Sequence, residues 1–275
     1  MRRTVHSAPL HGTCTLVGAG PGDPELLTLK AVKAIQKASV LLVDDLVNLE
    51  VLEHAQPSAR IIHVGKRGGC KSTPQAFIEK LMVSETLAGE HVVRLKGGDP
   101  FIFGRGGEEM ESLRAAGIEA QVINGITSGL AGLTQLGAPL THRDHAHGVV
   151  FITGHAKPGD AGTDWRQLAR TAHDAKLTLV IYMGISGSEH IQQELLHGLP
   201  AHTPAVVIQN ASLPHQRHAV TTLGELRNTI ETHQLASPSV MVIGDVVRGV
   251  SALQSPAVSQ NEEHNPEPML RAIQA

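Results

Sequence analysis

Cysteine is nearly missing from this chain of 275 residues: Cys14 and Cys70 are the only two. They stand far apart in no metal-like spacing and are most simply reduced thiols of a cytoplasmic protein. Aromatics are scarce as well, at 2%. No apolar segment approaches the ~20 residues needed to span a bilayer, so no membrane association is expected. Arg2-Arg3 is followed by no apolar run, which argues against an export signal. A basic excess is also missing. The 23 Lys and Arg face 26 Asp and Glu for a net charge of −3, unlike a general nucleic-acid binder. The 17 histidines form one cluster, His142-Arg143-Asp144-His145-Ala146-His147, with no HExxH or Cys/His pairing beside it. Polar loop residues are expected there, and no metal.

What is present is a globular composition, 41% hydrophobic with 28 glycines, long enough for one large or two small domains. Short apolar runs read as strands: Thr13 to Val17, Val40 to Val43, Arg60 to Val64, Val92 to Leu95 and Ala120 to Ile123. Helical patterns lie between them, through Leu26 to Ile35, Pro74 to Leu87 and Glu108 to Ala116, with another starting after Gly125. This alternation predicts a mainly parallel sheet covered on both faces. A second α/β set follows, with strands at Gly148 to Thr153, Leu177 to Met183, Pro204 to Gln209 and Ser239 to Ile243. His218 to Thr222 reads as an antiparallel addition and Leu223 to Ile230 as a helix. The expected division is a leader 1–12, an N-terminal domain 13–136, a linker 137–147, a C-terminal domain 148–250 with a mixed sheet, and a mobile tail 251–275.

The glycine-rich and polar stretches fall at carboxyl ends of strands, where ligands bind in such sheets. Gly18-Ala19-Gly20-Pro21-Gly22 after the first strand misses the third glycine of a dinucleotide fingerprint, and Pro21 removes a backbone donor. No GxxxxGK[ST] exists, so a P-loop is rejected too. The most informative stretch runs from Val93 to Glu109. Two glycine pairs, Gly97-Gly98 and Gly106-Gly107, bracket Asp99, Phe101, Phe103 and Arg105. An ordinary strand-to-helix turn with two aromatics folded onto the core accounts for one glycine pair. A binding loop accounts for both.

Three segments in order, Val17 to Pro24, Lys96 to Glu109 and Pro139-Leu140-Thr141-His142-Arg143, resemble the tetrapyrrole methylase family, specifically members acting on uroporphyrinogen III. The resemblance runs from about residue 13 to 248. It implies a two-domain α/β methylase, a homodimer, with S-adenosylmethionine in the cleft and S-adenosylhomocysteine as product. The implied reaction methylates C2 and C7 of uroporphyrinogen III to precorrin-2 for sirohaem, cobalamin or haem d1, without the dehydrogenation and ferrochelation domain of fused sirohaem synthases. By motif, Pro21, Gly97, Gly98, Asp99, Ile102, Thr127, Ser128, Met183 and Ala211 match cofactor positions. Asp44 and Lys66 match proton acceptor and donor, and Arg105, Glu108 and Arg143 match positions facing the tetrapyrrole. The chain departs from the pattern at Asn124, where the family has proline, at Ser128-Gly129, and at Leu136, near which it has tyrosine.

Read for their own chemistry, several of these residues have plainer roles. Asp44 is equally a helix N-cap before Leu46. Lys66 and Arg67 suit a solvated loop, and Glu108 suits the first turn of a helix. Asp99 suits an Asp-Pro turn and Met183 a core. Arg105 and Arg143 can grip carboxylates bidentately, which gives them a purpose against a substrate bearing eight of them. The rival readings are a methylase of a later corrin intermediate or diphthine synthase, and a non-catalytic ligand sensor on the same sheet.

Overall fold

The computed structural model describes residues 12–65, 73–155, 159 and 162–250. Each expected strand forms. In the first half, β1 (Thr13–Gly18), β2 (Val40–Val43), β3 (Arg60–His63), β4 (His91–Lys96) and β5 (Gln121–Ile123) make a sheet in the order β3-β2-β4-β1-β5. All its pairings are parallel. Val40, Leu41, Leu42 and Val43 are all buried, as a strand covered on both faces requires. One face carries α1 (Leu29–Lys37), whose Ala31 and Ile35 pack with Val17, Leu41 and Leu95. Thr28 caps that helix by accepting the Ala31 N–H at 3.1 Å. The other face packs α2 (Gln75–Leu87) and α3 (Gly106–Ala115) through Ile78, Met82 and Leu113 onto Leu16, Leu42 and Val92.

Neighbouring strands β1 and β4 therefore send their chains to opposite faces, β1 to α1 and β4 to α3. That divergence is a topological switch point, and the crevice it opens lies at the carboxyl ends of the two strands.

The second half holds β6 (Gly148–Thr153), β7 (Leu177–Tyr182), β8 (Pro204–Gln209), β9 (Arg217–Thr222) and β10 (Ser239–Ile243) in the order β6-β7-β10-β8-β9. Only β6 and β7 pair in parallel; the other pairings are antiparallel, including β9 on β8. One face is covered by α5 (Trp165–Asp174), α6 (Ser188–Leu195) and α7 (Leu226–Thr232), joined in a core with Leu179, Ile181, Val207 and Met241. The other face meets α4 (Ser128–Gln135): Leu133, with Ala138 and Ala146 beyond it, packs against Val180, Val206, Ile208 and Val242. The first half thus supplies the cover for the second sheet, and burying a leucine there is worth about 1.5–3 kcal/mol.

Candidate functional site

The loops leaving β1, β4 and β5 are in backbone contact. Gly98 N–H donates to the Gly20 carbonyl at 2.7 Å, and Gly20 N–H returns the bond at 3.3 Å. Gly98 sits at φ 68°, in the left-handed region that favours glycine. A Cβ on Gly125 would stand 2.2 Å from the Gly98 carbonyl oxygen and 2.8 Å from Gly18 Cα, so only glycine allows the approach. Asp99, 6% exposed, holds this junction. One carboxylate oxygen accepts the Phe101 N–H at 2.8 Å; the other accepts the Asn124 side-chain amide and the Gly125 N–H, both at 3.1 Å. Asp99 therefore fixes the loop, and the departure at Asn124 supplies one of its donors.

Loops of the second sheet close onto the same seam. Ser212 Oγ accepts the Asp23 N–H at 3.0 Å. A Cβ on Gly22 would meet Leu213 at 2.6 Å and the Ala211 carbonyl at 3.3 Å. Gly22, next after Pro21 in the chain, thereby packs against the buried Ala211. Ile102 packs against the core of the second sheet with Leu136 and Leu140. Thr127, 5% exposed, is hydrogen-bonded to the Tyr182 hydroxyl at 2.8 Å, and half-buried Ser128 opens α4. Met183 follows Tyr182 at φ 53° with its side chain 48% exposed, so the core role considered for it is not the one it fills.

Asp44 ends β2 and does not cap a helix. Its Oδ1 accepts the N–H of the next residue, Asp45, at 3.0 Å, and Asn48 caps the short 3-10 turn that follows. Its Oδ2 faces Arg94 Nη2 at 3.3 Å. Behind Arg94 lies an ion network that inspection of the motifs missed. Glu109 is fully buried, and its Oε1 accepts from Arg94 Nε at 3.1 Å, Lys96 Nζ at 3.0 Å and Gln75 Nε2 at 3.2 Å. Glu109 Oε2 has no hydrogen-bond partner among the described residues. Burial, then the neighbouring Arg94 charge, pulls the Lys96 ammonium below its ordinary pKa, while Glu109 opposes the shift. The signal was available. Arg94 and Lys96 lie two apart on a strand expected to be buried on both faces, and such cations need an internal anion.

Arg105 precedes α3 at φ 58° and is exposed. Its Nε and Nη2 bond the two carboxylate oxygens of Glu108 at 2.9 and 2.5 Å, the forked geometry a substrate carboxylate would also use. Arg143 is exposed on the turn closed by the His142–Ala146 bridge. Phe101 is 53% exposed and Phe103 39%, so neither folds into the core; the Phe103 ring rests 5.0 Å from that of Tyr182. Lys66 and Arg67 lie outside the described residues. Non-glycine residues with positive φ gather here: Phe103, Arg105, Met183, Asn210 and Ser212. Held backbone strain of this kind concentrates at working sites.

The arrangement is a glycine-lined seam between two sheets. A fixed carboxylate and two aromatics flank it on one side, and cations stand toward its rim. It suits a cofactor in extended contact with backbone and an acceptor bearing carboxylates.

The family model for Tetrapyrrole (Corrin/Porphyrin) Methylases matches residues 13–227. A uroporphyrinogen-III C-methyltransferase from Pseudomonas aeruginosa is 52% identical over 242 residues, covering 88% of this chain and 96% of that protein. The crystal structure of uroporphyrin-III C-methyl transferase from Thermus thermophilus complexed with S-adenyl homocysteine superposes with a TM-score of 0.73 at 39% identity, over 86% of this chain and 94% of that one. A cobalt precorrin-4 methyltransferase superposes equally well, with a TM-score of 0.74 over 84% and 94% of the chains, but at 26% identity.

Proposed function

This chain belongs to the tetrapyrrole methylases, and on that premise we propose that it methylates uroporphyrinogen III at C2 and C7. S-adenosylmethionine is the donor and precorrin-2, formed through precorrin-1, is the product. The observation that supports this reading most is the single seam on which Pro21, Gly98, Asp99, Thr127 and Ala211 meet from both sheets. The cradle suits a donor that needs close backbone approach, since a side chain at Gly98 would be strained and one at Gly125 would drive apart the Gly98 and Gly18 backbones that form it.

The donor supplies an electrophilic methyl carbon on a sulfonium. In-line transfer needs the acceptor carbon held at ~3–3.5 Å with aligned orbitals, and needs no metal. Pro21, Gly97, Gly98, Ile102, Thr127, Ser128, Met183 and Ala211 form the donor wall, and Asp99 holds its shape. Each transfer would form a carbon–carbon bond as the methyl–sulfur bond breaks and S-adenosylhomocysteine leaves, and the ring stays cationic until a bridge proton departs. Asp44, oriented by Arg94, accepts that proton or stabilises the ring charge. Lys66 serves as the proton donor. Arg105 and Arg143 grip propionate and acetate groups, and Glu108 occupies the Arg105 fork until a substrate carboxylate displaces it. The product feeds sirohaem, cobalamin or haem d1 synthesis, and the enzyme works as a cytoplasmic homodimer.

The test is incubation with uroporphyrinogen III and labelled S-adenosylmethionine, with products identified by mass. A gain of two methyl groups is expected. Binding without transfer would replace this reading by a ligand sensor, and transfer only to a later corrin intermediate would move the enzyme along the pathway.

A further inference from the structure

We propose that Tyr182 is a positioning residue for the methyl-donor pocket, turning the Thr127 hydroxyl toward the donor from the opposite sheet, and that Gly129 exists to leave room for it. The inference rests on the reading above, which puts Thr127 in the donor wall.

Tyr182 is the one tyrosine of the chain and ends β7. It is 8% exposed. Its hydroxyl lies 2.8 Å from Thr127 Oγ1 and 2.9 Å from the Gly129 nitrogen. The Gly129 N–H can only donate, so the phenol oxygen accepts it. The phenol proton is then available to Thr127 Oγ1, and the threonine's own proton is left for a third group. Burial raises the phenol pKa above its ordinary value, with hydrogen bonds involving the Thr127 hydroxyl, the Gly129 N–H and the Ser128 side chain opposing, so the phenol keeps that proton.

Thr127 is the N-cap of α4, yet its side chain makes no capping bond to the helix. A threonine at this position ordinarily turns its hydroxyl back onto the first-turn amides. Here the phenol of the other sheet takes the Gly129 amide instead, and the Thr127 hydroxyl is released from capping. It stands beside the glycine cradle, 3.9 Å from where a Gly98 Cβ would be. The Tyr182 ring is braced by Phe103 at 5.0 Å and edge-on by Phe151 at 6.0 Å, one from each half.

Gly129 is the permissive partner. A Cβ there would fall 2.3 Å from the Tyr182 hydroxyl and 2.7 Å from Val180 Cγ1. Any side chain at 129 would push the phenol off both of its partners. The Ser128-Gly129 departure from the family pattern thus has a geometric use in this chain.

The experiment is calorimetric titration of S-adenosylhomocysteine into the wild type, Tyr182→Phe, Gly129→Ala, Thr127→Val and the Thr127→Val/Tyr182→Phe pair, with donor KM and kcat measured alongside. Tyr182→Phe and Gly129→Ala should each weaken binding about tenfold, the scale of a lost buried hydrogen bond. Donor KM should rise in step while kcat at saturating donor stays within about threefold. Once Thr127 is valine, removing the phenol hydroxyl should cause no further loss, because the two act as one unit. Unchanged binding in Tyr182→Phe, or losses that multiply in the pair, would overturn the proposal, and if Tyr182→Phe does not fold, unchanged binding in Gly129→Ala does so. A wild type that does not bind S-adenosylhomocysteine would instead remove the methyl-donor reading beneath it.

Discussion

The Arg94 guanidinium, 2% exposed, lies 3.3 Å from the Asp44 carboxylate and ties it to Glu109 in the interior. An aspartate at a strand end is thereby held from behind by an internal cation, while its side chain remains 35% exposed. Asp44→Asn keeps an oxygen for the Asp45 N–H but turns an amide toward Arg94, which Glu109 still neutralises, so stability should fall by about 1–3 kcal/mol. Turnover should fall by about 10²–10⁴, the range for loss of a positioned acid or base, with S-adenosylhomocysteine binding retained. Methylation rates and titration calorimetry check this; wild-type turnover would remove Asp44 from the chemistry.

Glu109→Gln strips the anion from two buried cations. Breaking a buried ion pair costs about 3–5 kcal/mol, and urea denaturation should show a loss of that size. Adding Lys96→Met should recover part of it, since one stranded charge is removed. A neutral Glu109→Gln would mean that water already compensates these charges.

Arg105 and Glu108 form an exposed pair, 54% and 49% accessible, so separating them should change stability by less than about 1 kcal/mol. Their kinetic effects should diverge. Arg105→Ala should raise KM for uroporphyrinogen III about tenfold or more with donor binding nearly intact. Glu108→Gln frees the fork and should leave that KM unchanged or lower. Equal loss of donor and acceptor binding in Arg105→Ala would place the arginine in the other pocket.

Burial pushes the Cys14 thiol up to about 12 from its ordinary 9.0. Above pH 9 the unfolded chain releases this proton while the folded chain keeps it, so the folded state binds more protons and stability falls as pH rises toward 12. The slope approaches about 1.4 kcal/mol per pH unit. Cys14→Ala should lose less stability than the wild type between pH 9 and 10.5, by denaturant midpoints at each pH. Parallel curves would show that the thiol titrates normally in the fold.

Much of this was readable from residues alone. Val40 to Val43 is a continuous apolar run between turn formers, and a parallel strand buried on both faces has that pattern. The antiparallel strand expected at His218 to Thr222 is β9, paired on β8. Helices α5 and α6 were not individually drawn: Trp165, Ala169 and Ala172 bury one narrow stripe of an otherwise polar segment, and Asp164 marks its start only through a capping bond at 2.9 Å. In the site, Gly98 and Asp99 announced themselves because backbone geometry demands those residue types. Arg94 carried a signal as a cation in a buried strand, but Glu109 and Tyr182 did not. Their roles depend on partners 15 and 55 residues away in sequence, and distance of that kind is set by topology, not by local spacing.

The left-handed backbone at Phe103, Arg105, Met183, Asn210 and Ser212 has a consequence for how this protein would respond to selection. Each such residue carries a backbone cost of about 1–3 kcal/mol, of which glycine would relieve a part, less the lost side-chain contacts and glycine's greater freedom in the unfolded chain. A library screened only for heat resistance should enrich glycine at these five places. Its winners would melt later and methylate worse, because the thermostability is being withheld in the loops that line the seam between the sheets.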